Sequence, residues 1–351
     1  MIRIREAATY AVRIIALPGI FNEPRDKEKS RYRRVALPDC RESLWDKSWV
    51  PVNLQLFARS PGVTNLWSDI LTLSTISLVL AAAFLHAAWN AFIKAGDDKL
   101  LSLALMHGCS GIICLCLLPF VPIPNPAAWP FLGLSLVLHW GYYGFLISSY
   151  RVGDLGLVYP LARGSAPLLI AGFGVLLAGE TLSLTVLAGI SLACVGIVSL
   201  SFENGPPWRG NLKPVLFAIG TAIWISGYTL ADGLGVREAQ SRLGYIIWLF
   251  VLEAATFGIF VSLIRRHTVK DYYLTHWRGL WISGMVAALA YGLVIYAMST
   301  NTMAMISALR ETSVIIAVLI GGLMLKERHM LYRMCAAVMV VVGITIMNLT
   351  S

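Results

Sequence analysis

The sequence predicts an all-α membrane protein, with ten transmembrane helices arranged as two inverted five-helix repeats. Three observations predict it. The 351 residues are 57% hydrophobic and only 13% charged, against about 25% charged in soluble domains. From Ile70 onward, apolar runs of spanning length follow one another, each near the ~20 residues that a bilayer core requires. The stretch from Tyr159 to Glu180 also returns 147 residues later without a gap. Arg163 then falls on Arg310, Gly174 on Gly321, Glu180 on Glu327 and Gly196 on Gly343.

The elements follow in order. Residues 1–69 form a polar, basic N-terminal tail that holds 12 of the 28 Lys and Arg residues. Two readings stand open for it: a disordered tail, or a start assigned too early. The first repeat covers 70–203. Its first span is Ile70–Ile93. No charge occurs from Leu100 to Tyr150, and Pro119, Pro122, Pro124 and Pro126 break that run into two spans, because helices rarely continue through such a cluster. Leu155–Gly179 and Leu182–Phe202 are the fourth and fifth spans.

Residues 204–211 are a turn-rich linker, and the second repeat covers 212–351. Its spans are Leu212–Leu230, Leu243–Ile264, Trp277–Met298, Thr302–Leu325 and Leu331–Leu349. An odd number of spans per repeat makes the second copy enter the bilayer from the opposite face. Inverted repeats of this kind place a substrate site near the midplane between them.

The formal charge of +9 does not indicate a nucleic-acid surface, because the basic residues are spread over the tail and the short loops. Twelve of them lie in loops after odd-numbered spans, which favours those loops in the cytoplasm and both termini outside, while the basic tail argues for the opposite orientation. The six cysteines lack metal-ligand spacing. No His-Glu-x-x-His and no phosphate-binding Gly-x-x-x-x-Gly-Lys loop is present, so neither a metal nor a cofactor is implied.

Leu85-His-Ala-Ala-Trp-Asn-Ala-Phe-Ile-Lys94 resembles the opening helix of EamA-type transporters of the drug/metabolite transporter superfamily. Gly179-Glu180 with Leu182, Gly189 and Gly196 resembles the end of that family's fourth span, and Lys326-Glu327 with Gly343 its later copy. The resemblance covers about 70–351. It implies a ten-helix basket around a central cavity that carries small metabolites, often outward, across a bacterial inner membrane. Arg163 and Arg310 depart from the family's less charged pattern.

Four charges lie well inside spans: Arg163, Glu253, Arg310 and Glu311. Charges at that depth face a cavity or one another. Either the acids neutralise the arginines and fix packing, or the arginines hold an anionic group, whose geometry a guanidinium fork matches. Glu311 and Glu253 are candidate proton carriers, since a carboxylate away from water takes up a proton more readily. His86, Trp89 and Asn90 on the first span, Tyr159 beside Arg163, Trp224 and Tyr228 on the sixth span and Tyr291 on the eighth are candidate substrate contacts. For each, helix packing or lipid contact is the competing role.

The expected partners are the lipid bilayer, a small-molecule substrate and protons, and no nucleic acid. The expected function is secondary transport of a small anionic or zwitterionic metabolite, such as an amino acid or an organic or phospho-acid. A membrane-embedded enzyme or an assembly protein without transport activity is the alternative.

Overall fold

The computed structural model describes residues 71–153, 155–203, 205–206, 212–316 and 330–349. The chain divides into two units, Met1–Val50 and Pro51–Ser351. The first unit, the rest of the tail and most of the linker lie outside the described residues, as do Gly321 and Glu327.

The described residues of the second unit are helical and contain no strand. The helices are α1 (Leu73–Ala95), α2 (Lys99–Leu117), α3 (Trp129–Val152), α4 (Leu155–Leu177), α5 (Leu184–Ser199), α6 (Lys213–Glu238), α7 (Arg242–Glu253), α8 (Ile259–Ile264), α9 (Arg266–Met298), α10 (Met303–Arg310) and α11 (Met330–Leu349). A π-helical turn, Ala254–Gly258, joins α7 to α8. Nine helical stretches among the described residues are long and apolar enough to cross a membrane.

Polar residues in the loops set the helix starts. Thr72, Asp98, Ser183 and Ser241 each accept a hydrogen bond from a first-turn amide, which satisfies donors that a helix start leaves open. The left-handed Gly179 (φ +64°) ends the turn after α4. There the amides of Ala178 and Glu180 both donate to the Gly174 carbonyl at 3.0 Å.

Two helices run longer than the spans read from the sequence. The sixth span does not stop at Leu230 but continues as α6 to Glu238. The eighth begins at Arg266 instead of Trp277 and runs for 33 residues, about 50 Å at 1.5 Å per residue. Charge ends an apolar run but not a helix, whose backbone bonds close as well in water as in lipid.

The exterior is apolar: Leu73, Phe120, Leu176, Leu184 and Leu331 are exposed. Charged side chains are buried instead, namely Arg163, Asp232, Glu253, Arg310 and Glu311. That distribution suits lipid as the surrounding solvent. The most extensive packing joins α3 to α6, α1 to α9, α5 to α11 and α4 to α6, and α2 packs on α7 and α9. α10 packs on α4 and α1.

α5 and α11 approach through glycines. A Cβ at Gly189 would lie 2.5 Å from the Gly343 carbonyl oxygen, and one at Gly343 would lie 2.6 Å from that of Gly189. Small residues permit backbone contact of this kind between membrane helices.

Candidate functional site

α4 and α10 bring the two arginines to a single acid. Arg163 lies in the middle of α4, between Pro160 and Pro167. Neither proline has an N–H to give, so the helix ladder is thinned on both sides of the charge. Arg310 ends α10. The ninth span, read from sequence as one uninterrupted helix, turns at Glu311 and resumes over 312–316. Glu311 N bonds Ala308 O at 3.1 Å and Val314 N bonds Glu311 O at 2.9 Å, both three-residue steps that tighten the backbone beneath the charges.

The Nε of Arg163 stands 2.8 Å from Oε2 of Glu311, and the Nη2 of Arg310 stands 3.5 Å from Oε1. All three residues are buried. The contacts are close in distance but off the angle of an aligned hydrogen bond. Among the described residues, Arg163 Nη2, Arg310 Nε and Arg310 Nη2 have no hydrogen-bond partner, nor do the two carboxylate oxygens of Glu311. Two guanidinium groups therefore share one carboxylate, and one positive charge is left over among the described residues. An uncompensated buried charge costs several kcal/mol. The unfilled N–H donors are arranged to take a carboxylate, phosphate or phosphonate.

Several of the aromatic and polar candidates lie around the arginines. Tyr159, Tyr228 and Tyr142 lie within electrostatic reach of Arg163. His86 reaches both arginines, and Tyr291 reaches Arg310. Trp89 Nε1 donates to His86 Nδ1 at 3.2 Å, which fixes the ring from within α1. Asn90 spends its amide on its own helix, donating to His86 O at 2.8 Å. Trp224 faces α3, packing over Gly141 and beside Phe145. Its side chain is not among the groups gathered about the arginines.

Glu253 is held in a separate cluster. Tyr143 donates its hydroxyl to Glu253 Oε1 and lies 3.0 Å from His107 Nε2. His107 Nδ1 faces Glu253 Oε2 at 3.3 Å. The π-helical turn follows Glu253 directly.

Sequence reasoning missed Asp232. It is fully buried on α6 and accepts from Tyr245 at 3.0 Å and from Tyr291 at 2.5 Å, with Ser135 nearby on α3. His139 bonds Ser135 O at 2.9 Å and stacks on Tyr228 with ring centroids 4.1 Å apart. The signal for Asp232 was the apolar Gly233-Leu-Gly-Val236 beyond it, which carries the helix one turn past the charge.

Glu180 closes one end of the assembly. Its Oε1 takes 2.8 Å and 3.0 Å bonds from Arg237 Nη2 and the Met303 amide. Arg237 also donates to Met298 O and Asn301 O.

These features define a multi-pass integral membrane protein with a partly neutralised arginine pair buried between helices. Residues 212–349 match the model of the EamA-like transporter family, which belongs to the drug/metabolite transporter superfamily. A solved structure described as "Crystal structure of protein" aligns over 79% of this chain and 97% of its own, with a TM-score of 0.62 and 20% identity. That likeness concerns the fold. The Inner membrane protein YccS of Escherichia coli (strain K12) is 33% identical over 116 residues, 31% of this chain. The chain spans 15% of the length of that relative.

Proposed function

We propose that the chain is a secondary transporter that exports a small anionic or zwitterionic metabolite, an amino acid or an organic or phospho-acid, from the cytoplasm. The observation that carries this reading is the charge imbalance at Arg163, Arg310 and Glu311, with guanidinium donors left unfilled. A bound anion would supply both the missing charge and the missing acceptors. Matching carboxylate or phosphate groups gain most from such a fork.

Transport would proceed by alternating access between two inverted five-helix halves, 70–203 and 212–351. The helix pairing supports this. Exchanging each span for the one five places on turns the α3–α6 contact into α9–α1, and the α4–α6 contact into α10–α1, and both members of each pair occur. The α5–α11 contact obeys the same exchange at residue level. Gly189 meets Gly343, and Gly196 meets Ala336, which are the same pair after a shift of 147 residues. The inner membrane of a bacterium is the location we assign, in keeping with the inner membrane relative. The burial of both arginines implies that one half must rock against the other before substrate can enter.

The test is a screen of small anions in sealed vesicles, with Arg310→Ala as control. The expected result is accumulation of at least one anion by the parent protein, lower by about tenfold or more in the variant, the equivalent of 1.4 kcal/mol. Equal accumulation by both would remove the arginine site from the reading.

A further inference from the structure

Among the described residues, the buried acids fall into two kinds. Glu311 faces Arg163, and Glu253 faces His107. Asp232 has no cationic side chain within ion-pair distance among the described residues, yet it is wholly buried. The groups around it come from four helices. α3 gives Ser135 and His139, α7 gives Tyr245, α9 gives Tyr291, and its own helix gives Tyr228. His139 is the one basic group among them, and its Nδ1 hydrogen is committed to the Ser135 carbonyl. Arg310 on α10 shares Tyr228 and Tyr291 with Asp232 as electrostatic neighbours.

We propose that Asp232 is the proton-binding carboxylate of the transport cycle, and that the Tyr291 hydroxyl links it to the arginine site. A carboxylate whose hydrogen bonds come from neutral hydroxyls in a low-dielectric interior is stabilised either by a bound cation or by taking a proton. Two hydroxyl donors, Tyr245 and Tyr291, already occupy part of its lone-pair directions. A metal ion or an ammonium group would need those directions, whereas a proton needs one. The step is a simple protonation: one proton from the aqueous phase forms one O–H bond on Asp232, and no other bond changes.

The link follows from the donor count. Tyr291 has one hydrogen, and with Asp232 ionised that hydrogen is held at 2.5 Å. Once Asp232 is protonated, its own O–H can donate to the tyrosine oxygen. The Tyr291 hydrogen is then free for an acceptor lying against Arg310. Proton occupancy on α6 thereby changes what the arginine site offers. Glu253 and Glu311, the acids that the sequence singles out for proton carriage, lack this arrangement because Glu311 already faces Arg163 and Glu253 faces His107.

This inference rests on the transporter reading, but its test does not require a known substrate. The full chain is reconstituted in phosphatidylcholine vesicles and titrated by infrared spectroscopy, following the carbonyl band of a protonated carboxyl group. The band is expected in the parent protein and in Glu253→Gln, and lost in Asp232→Asn. Its persistence unchanged in Asp232→Asn would overturn the proposal. Tyr291→Phe provides a second reading should the asparagine variant fail to fold. Loss of the hydroxyl that accepts from the protonated carboxyl should move the band to higher wavenumber, and an unmoved band counts against the link. Replacing choline by sodium in the buffer should leave the titration unchanged. A sodium-dependent midpoint would make Asp232 a metal-cation site and overturn the assignment. Failure of the anion screen with a normal Asp232 band would count against the substrate reading alone.

Discussion

Arg163 on α4 and Glu311 at the end of α10 meet at 2.8 Å with both side chains buried, and Arg310 approaches the same carboxylate at 3.5 Å. Removing the acid leaves two guanidinium groups with no counter-charge. Glu311→Gln should lose about 3–5 kcal/mol of stability, the usual result of stripping one partner from a buried pair. Thermal unfolding in detergent reads this as a lower Tm. The double variant Arg163→Met/Glu311→Met should recover most of the loss, since apolar replacement of a buried pair is often neutral. A double variant as unstable as the single one would show that the charge imbalance is not what destabilises it.

Arg163→Lys separates charge from geometry. Lysine keeps the positive charge but offers a point donor in place of a planar fork. Anion affinity should fall about tenfold or more, some 1.4 kcal/mol, while the protein stays folded. The check is binding, by titration calorimetry, of whichever anion the vesicle screen identifies. Unchanged affinity would mean that Arg163 acts through charge alone.

The sequence made the arginine pair legible and hid the rest of the polar core, for physical reasons. A charge repeated at a fixed offset inside apolar runs is costly, and that cost makes Arg163 and Arg310 conspicuous. Asp232 carries the same cost but sits where the apolar run of α6 thins toward Arg237 and Glu238, so it reads as the end of a span. Its partners Tyr245, Tyr291 and Ser135 come from three other helices, and sequence spacing says nothing about which helices adjoin. His107 and Tyr143 illustrate the same limit: they meet Glu253 only because α2, α3 and α7 converge. Trp224 likewise packs over Gly141 of α3, a neighbour that spacing along α6 does not name.

The glycine contact between α5 and α11 gives a prediction with opposite signs at two positions. Gly343→Val places a Cβ 2.6 Å from the Gly189 carbonyl oxygen and 2.7 Å from Ala193 N, both backbone atoms that cannot turn aside. The helices must separate, at a cost of about 1–3 kcal/mol or more. Gly144→Ala on α3 meets nothing within 4 Å and should gain about 0.5–1 kcal/mol from reduced chain entropy. Unfolding midpoints of the two variants against the parent check both signs. A Gly343→Val protein as stable as the parent would dismiss the close approach.

Glu180 has two jobs that substitution can pull apart. Its carboxylate accepts from the Met303 amide at 3.0 Å, at the first residue of α10, where Thr302 supplies no side-chain cap. It also pairs with Arg237 at 2.8 Å. Glu180→Gln keeps an acceptor for the amide and loses the charge pairing. Because Arg237 is partly exposed, water screens that loss, which should stay near 1 kcal/mol or below. Glu180→Ala also gives up the cap, an additional cost of about 0.5–2 kcal/mol. The order of stability should therefore be parent, glutamine, alanine. Amide hydrogen exchange should localise the extra loss of the alanine variant to the start of α10. If exchange there is the same in both variants, Glu180 acts only through Arg237, and its bond to the α10 amide contributes nothing to holding Arg310 in place.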